Sequence, residues 1–208
     1  MSILMGLLPP VPAGPERIPV SEFASRGLEG WIEHSFQGHT RYRLVMIDDT
    51  RVLEAHSEAS ASALYRRIRV DLEQTPILRW RWRAGGTLGA NDEQTRGGDD
   101  YAARIYLIKE GGLLPWRTMA LNYVWSGNQP VGSSWNNAYS SRARMIALQS
   151  GSLDDPRWRS ELRNVRDDFR RLFAEEVRYI DAVALMSDTD NSGATATAHY
   201  ADIRFSAE

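Results

Sequence analysis

Cysteine is absent from the 208 residues, which excludes thiol nucleophiles, thiolate-bound zinc, redox pairs and disulfides together. Lysine is almost absent, because every one of the 25 basic residues except Lys109 is arginine. A genome bias explains that, and so does a use for planar, permanently charged forks that grip carboxylate or phosphate groups. Neither sign of charge is in surplus. With 25 basic and 27 acidic side chains the net charge is −2, and no nucleic-acid partner is expected, since phosphate backbones recruit proteins through an excess of Lys and Arg. No uncharged apolar run approaches the roughly 18–20 residues that span a bilayer, so membrane insertion is not expected either. Catalytic signatures are missing too: there is no Gly-x-Ser-x-Gly elbow, no phosphate loop and no His-Glu-x-x-His. Gly85, Gly86 and Gly89 lead into polar loop rather than helix, so a dinucleotide site lacks its context. The 4 histidines, His34, His39, His56 and His199, show no zinc-ligand pairing beyond a weak His34 and His39.

What is present reads as all-β. Short alternating or apolar segments separated by turn residues predict strands at Trp31–Phe36, Tyr42–Ile47, Val52–Ser57, Ala63–Val70, Ile77–Arg83, Tyr101–Ile108, Met119–Trp125, Ala143–Leu148, Ile180–Ser187 and Ala196–Phe205. Without βαβ spacing, they favour two antiparallel sheets packed face to face as a β-sandwich. One helix is expected near residues 155–173, where Trp158, Leu162, Val165, Phe169 and Leu172 recur at steps of four and three, with Asp154 or Asp155 as cap and Pro156 in the first turn. The length suits one domain or at most two, burying roughly 70% of the unfolded surface. Residues 1–15 read as a loosely ordered arm, either the clipped end of an export signal or a proline-rich lead-in, and 16–208 as a single sandwich domain. The polar stretches Gly85–Gly98 and Gly127–Tyr139 are long enough to be suspected of function.

Strand alternation assigns faces. In Ile77–Arg83, Leu78, Trp80 and Trp82 share the core face and Arg79, Arg81 and Arg83 the other. In Asp100–Lys109, Tyr101, Ala103, Ile105 and Leu107 fall opposite Asp100, Arg104, Tyr106 and Ile108. Were these strands neighbours, one sheet face would be either a solvated surface of exposed ion pairs worth about 0–1 kcal/mol each, or a shallow cleft whose guanidinium forks meet a hydroxylated or anionic ligand. Trp116, Trp125 and Trp135 lie near loops or strand ends, and Trp135 stands among Ser133, Ser134, Asn136 and Asn137. A flat apolar ring beside amides suits sugar C–H groups and hydroxyls, although Trp135 also suits a lid over the sandwich edge. Candidate ligand-binding residues are therefore Arg79, Arg81, Asp100, Arg104, Tyr106, Asn122, Trp125, Trp135 and Asn136, with Arg104 holding an anionic or hydroxyl group and Trp125 and Trp135 stacking on the ligand.

Asp188-Thr189-Asp190-Asn191-Ser192-Gly193 matches the first half of an oxygen-ligand calcium loop, with Asp188, Asp190 and Asn191 as candidate ligands. Its twelfth position is His199 where that loop needs Glu, and a plain β-hairpin turn explains the same residues. No cofactor is expected, calcium being the one alternative. Asp99, Asp100, Glu161, Asp188 and Asp202 include enough acids for a glycosidase pair, whose separation of roughly 5–9 Å a sequence does not reveal. Arg159-Ser160-Glu161-Leu162-Arg163 is similar to the arginine-rich strand motif of jelly-roll alginate lyases, but it falls inside the expected helix and the companion Gln-x-His element is missing.

Leu78-Arg79-Trp80-Arg81-Trp82, Gly98-Asp99-Asp100-Tyr101-Ala102-Ala103-Arg104-Ile105-Tyr106 and Leu121-Asn122-Tyr123-Val124-Trp125-Ser126 together resemble the bacterial family catalogued as domain of unknown function 3047. Arg144-Met145-Ile146, Glu161-Leu162-Arg163-Asn164-Val165 and Met186–Gly193 continue the resemblance in the same order, so that it runs from about Pro19 to Phe205. The resemblance implies a jelly-roll sandwich akin to galactose-binding and lectin-like domains, and a periplasmic or otherwise exported location. It carries no activity with it. The expected function is non-catalytic binding of a saccharide or acidic glycan. The alternatives are a polysaccharide lyase or glycoside hydrolase on the same face, or an envelope protein that contacts a protein partner.

Overall fold

The computed structural model describes residues 17–88, 91–151 and 157–208. The arm expected over residues 1–15 and the helix start expected at Asp154, Asp155 and Pro156 lie outside the described residues. In chain order the strands are β1 (Arg17–Pro19), β2 (Trp31–Gln37), β3 (Arg41–Ile47), β4 (Thr50–Glu58), β5 (Ala61–Asp71), β6 (Ile77–Thr87), β7 (Tyr101–Lys109), β8 (Met119–Ser126), β9 (Ser134–Asn136), β10 (Ala143–Ser150), β11 (Arg159–Asn164), β12 (Tyr179–Asp188) and β13 (Thr195–Ser206). Helix α1 (Val165–Phe173) lies between β11 and β12. Every strand expected from alternation forms, each a little longer than its apolar pattern.

The strands divide into a six-stranded sheet, ordered β11-β6-β13-β4-β3 with β1 against β13, and a seven-stranded sheet, ordered β2-β5-β12-β7-β8-β10-β9. They pack as a β-sandwich because each strand turns one alternate set of side chains inward. Tryptophans of β6 meet aromatics of β8 across the interior: Trp80 stacks on Tyr123 at 5.3 Å between ring centroids, and Trp82 lies 6.1 Å from Trp125. One apolar cluster draws on both sheets, from Leu53, Leu78 and Phe205 on one side to Leu64, Ile105 and Leu185 on the other.

Four details depart from the expectations. First, β8 and β10 run parallel, with β9 antiparallel to β10 at the sheet edge. Second, the expected helix splits. Arg159–Asn164 is β11, paired along its length with β6, and those ladder bonds override the helical spacing of Trp158 and Leu162. The helix begins only at Val165, where the Asn164 side chain caps it by accepting from the Asp167 N–H at 3.2 Å. Third, β6 and β7 belong to different sheets, so their polar faces look outward on opposite sides. Fourth, the Asp188–Gly193 turn crosses from β12 in one sheet to β13 in the other and closes no hairpin.

Candidate functional site

The outer face of the seven-stranded sheet carries a groove of about 400 Å³. Its floor is alanine: Ala63 on β5, Ala182 and Ala184 on β12, and Ala120 on β8. Larger side chains rise around that floor. Tyr65 and Tyr106 both sit directly opposite Ala184, one on each neighbouring strand, so a notch two strand spacings wide, about 9–10 Å between the outer Cα positions, opens between two phenol rings. A second notch runs Arg67, Ala182, Ile108, Ala120 in the adjoining row. At the β2 edge His34 meets Phe36 edge-on at 4.9 Å, and Phe36 is 62% exposed. The groove contains one ion pair, Arg67 with Glu110 at 2.9 Å.

Beside the groove the same face closes over a buried polar joint. The Arg104 guanidinium, 4% exposed, lies between the rings of Tyr101 at 4.9 Å and Tyr106 at 4.5 Å. It donates through Nη1 to Asp188 at 3.1 Å and Asp99 at 3.5 Å, and through Nε to the Asn122 amide oxygen at 3.3 Å. Asn137 donates to both Asp99 oxygens at 3.0 Å. A register shift between β7 and β12 brings Tyr101 onto this outer face, where strict alternation had put it in the core. Burial, with Asp99 and Asp100 close by, pushes the Asp188 carboxyl well above the usual carboxylate range, and the Arg104 guanidinium pulls it back. Burial raises the Tyr101 and Tyr106 phenols in the same way, so both remain neutral hydrogen-bonding groups.

The residues expected at a site fall into three places. Asp100, Arg104, Tyr106, Asn122, Trp135 and Asn136 come together on the seven-stranded sheet. Among them only Tyr106 reaches the groove, while Asn136 is exposed at the sheet edge and Trp135 packs on Tyr101, Val124 and Met145. Arg79 and Arg81 lie on the outer face of the other sheet. Trp125 points into the core against Trp82, because β8 turns its odd-numbered side chains inward, and it offers no ring to a ligand. Asp100, Asp188 and Asp190 bring carboxylate oxygens within 4.8 Å of one another. Those of Asp100 accept from the N–H groups of Asn191 and Ser192, and those of Asp188 from the Tyr101 N–H and Arg104, so both side chains already clamp the β12–β13 crossover to the start of β7. Glu161 turns inward on β11 and accepts from Trp82 Nε1 at 3.0 Å and Gln149 Nε2 at 2.7 Å. The lyase-like run is thus a strand, correcting the expected helix, but its acid is spent on the sandwich rim.

Sequence reasoning missed the groove itself: His34, Phe36, Tyr65 and the alanine floor. The usable signal was small residues at alternate positions, Ala61-x-Ala63-x-Tyr65 and Ala182-x-Ala184, which recess one face of two adjacent strands.

Residues 29–204 match the family described as protein of unknown function DUF3047. The chain belongs to that family. Among solved structures it is similar to the family 11 carbohydrate-binding module of the cellulosomal cellulase Lic26A-Cel5E of Clostridium thermocellum, with a TM-score of 0.50 and 9% identity over 91% of this chain and 93% of that one. It is also similar to the Endo-D glycoside hydrolase domain Spr0440 of Streptococcus pneumoniae R6 (TM-score 0.46, 11% identity, 86% of this chain), of which it spans 22%. A third likeness is to the family 12 xyloglucanase of Bacillus licheniformis (TM-score 0.45, 10% identity, 86% of each chain). No curated protein matches the chain. At such identities the likeness is one of fold, the jelly-roll type of β-sandwich.

Proposed function

We propose that the groove of the seven-stranded sheet binds a neutral saccharide chain without cleaving it. The observation that carries this reading is the pair of tyrosines, Tyr65 and Tyr106, standing on either side of an alanine floor. Such a slot offers aromatic rings to sugar C–H groups at little cost in side-chain ordering, and its phenol oxygens can accept from sugar hydroxyls, Tyr106 donating its own proton to Met186 Sδ at 3.2 Å. Neutrality follows from the charges. Arg104 is buried and engaged by Asp188, Asp99 and Asn122, and Arg67 is paired with Glu110, so neither guanidinium is left over for a uronate. Glycoside hydrolysis takes two carboxyl groups flanking the bond, and among the described residues that line the groove Glu110 is the one acid, which favours binding over cleavage. The carbohydrate-binding module of Clostridium thermocellum shares the sandwich, which is compatible with this reading and at 9% identity adds nothing about the ligand.

Calorimetric titration with neutral and uronate-containing oligosaccharides tests it. Tyr65→Ala and Tyr106→Ala are each expected to weaken binding about tenfold, while Trp116→Ala, in an exposed 3-10 turn outside the groove, leaves it unchanged. Release of reducing ends would replace the binding module by an enzyme. Equal affinity for uronates, or tyrosine variants that bind as well as the parent, would remove the groove as the neutral-sugar site.

A further inference from the structure

The outer face of the six-stranded sheet carries a different chemistry. Arg79, Arg81 and Arg83 alternate with the buried Leu78, Trp80 and Trp82 along β6, and Arg204 stands beside them on β13. Between β11, β6 and β13 lies a hollow of about 250 Å³, lined by Arg79, Arg81, Arg204, Ser160, Leu162 and Asp202, with Trp80 and the inward-turned Glu161 at its base. Asp202 occupies the left-handed region, at φ 56, where β13 shifts register against β6 between Ala201 and Arg204. Its carboxylate accepts from Arg81 Nε at 2.6 Å, and its backbone carbonyl accepts from Arg204 Nη1 at 3.2 Å. Arg81 is further fixed over the Trp158 ring at 5.1 Å. Among the described residues no acid pairs with Arg79.

Arg79 and Arg204 are direct cross-strand partners. Like charges placed opposite one another on an antiparallel pair repel, and of the two acids lining the hollow Asp202 is engaged by Arg81 while Glu161 turns inward to Trp82 and Gln149. An oxyanion inserted between the two forks converts that repulsion into attraction and meets planar donors arranged for bidentate contact. Ser160, opposite Arg81 on β11, adds a hydroxyl donor, and Leu162, 51% exposed, adds an apolar rim. We propose that this hollow is a second binding site, for the tetrahedral oxyanion of a phosphate or sulfate monoester, held between Arg79 and Arg204. Its volume suits one such group with a small organic remainder, and its sheet faces away from the groove, so it stands independently of the saccharide reading.

Titration of the whole protein with inorganic phosphate, inorganic sulfate, a monosaccharide phosphate and a monosaccharide sulfate, at constant ionic strength set with sodium chloride, tests the assignment. Saturable binding by at least one ester is expected, and comparison of the four arms tells phosphate from sulfate and ester from free ion. Arg79→Gln and Arg204→Gln should each weaken it about tenfold or more, and Arg79→Lys severalfold, because an ammonium keeps the charge and loses the fork. Arg43→Gln, on the same sheet face but outside the hollow, should change it less than about twofold; melting temperatures confirm that each variant is folded. No saturable binding above chloride, an unaffected Arg79→Gln variant, or an Arg43→Gln variant as impaired as Arg79→Gln would each overturn the site, the last by reducing it to a diffuse basic field.

Discussion

Arg104 joins Asp188, Asp99, Asn122 and two tyrosine rings on the groove-bearing sheet, and it shows what a residue's pattern conveys and what it hides. Alternation places Arg104 and Tyr106 on the polar side of β7, as the structure does, whereas Asp100 lies just before the strand and turns to the β12–β13 crossover. It did not reveal that Asp99, Asn137 and Tyr101 close over the guanidinium, because Asp99 and Tyr101 depend on a register shift that breaks the alternation at the start of β7, and Asn137 comes from a loop distant in sequence. The consequence for stability is specific. Arg104→Met removes the partner of a buried carboxylate, and a loss of about 3–5 kcal/mol is expected in urea unfolding at pH 7. The pH dependence has a definite sign. Asp188 is already held above the usual carboxylate range by burial, and loss of the opposing guanidinium raises it further. A group raised in the folded state stabilises most when protonated, so the deficit of the variant should narrow as pH falls from 7 toward 5 and widen again on return. A deficit that does not change with pH would mean that Arg104 acts through packing of its stem alone.

At the scale of elements, β11 and α1 mark where local pattern and tertiary pairing compete. The strands found by alternation are those with one buried face, where a period of two is enforced by the core. β1 and β9, three residues each, are too short for any period to show. β11 hid because Trp158 and Leu162 fall in phase with Val165, Phe169 and Leu172, and only pairing with β6 separates the two segments. Sheet order was equally illegible, since β8 beside β10 and β12 opposite β13 are decided by contacts far apart in the chain; this is why Arg79 and Arg81 were grouped with Arg104. Asn164 is the joint between strand and helix, ending the β6 ladder opposite Ile77 and capping α1. Asn164→Ala is expected to lower unfolding stability by about 1 kcal/mol, with Asn164→Asp keeping most of it, as read from denaturant midpoints. Equal midpoints for the Ala variant and the parent would show that the buried Val165 and Phe169 hold the helix without its cap.

At the scale of the molecule, a net charge of −2 conceals an uneven placement of charge over the two sheets. The near-total use of arginine was legible from composition alone; its placement was not, because Arg104 is buried against acids while Arg79 and Arg204 face each other across β6 and β13 on the other sheet. The two outer faces should therefore respond differently to salt. Raising ionic strength from 0.1 to 1 M shortens the Debye length from about 10 Å to about 3 Å and supplies competing chloride, which weakens attraction between exposed charges and leaves contacts between sugar rings and tyrosines nearly untouched. Ester binding at the Arg79 hollow is expected to fall about tenfold or more over that range, whereas neutral saccharide binding at the Tyr65–Tyr106 notch should stay within about twofold. Paired titrations of the same preparation at both salt concentrations read the contrast directly. If saccharide affinity declined in step with ester affinity, the sugar would be held by charge, and the assignment of a neutral ligand to the alanine-floored groove would have to be given up.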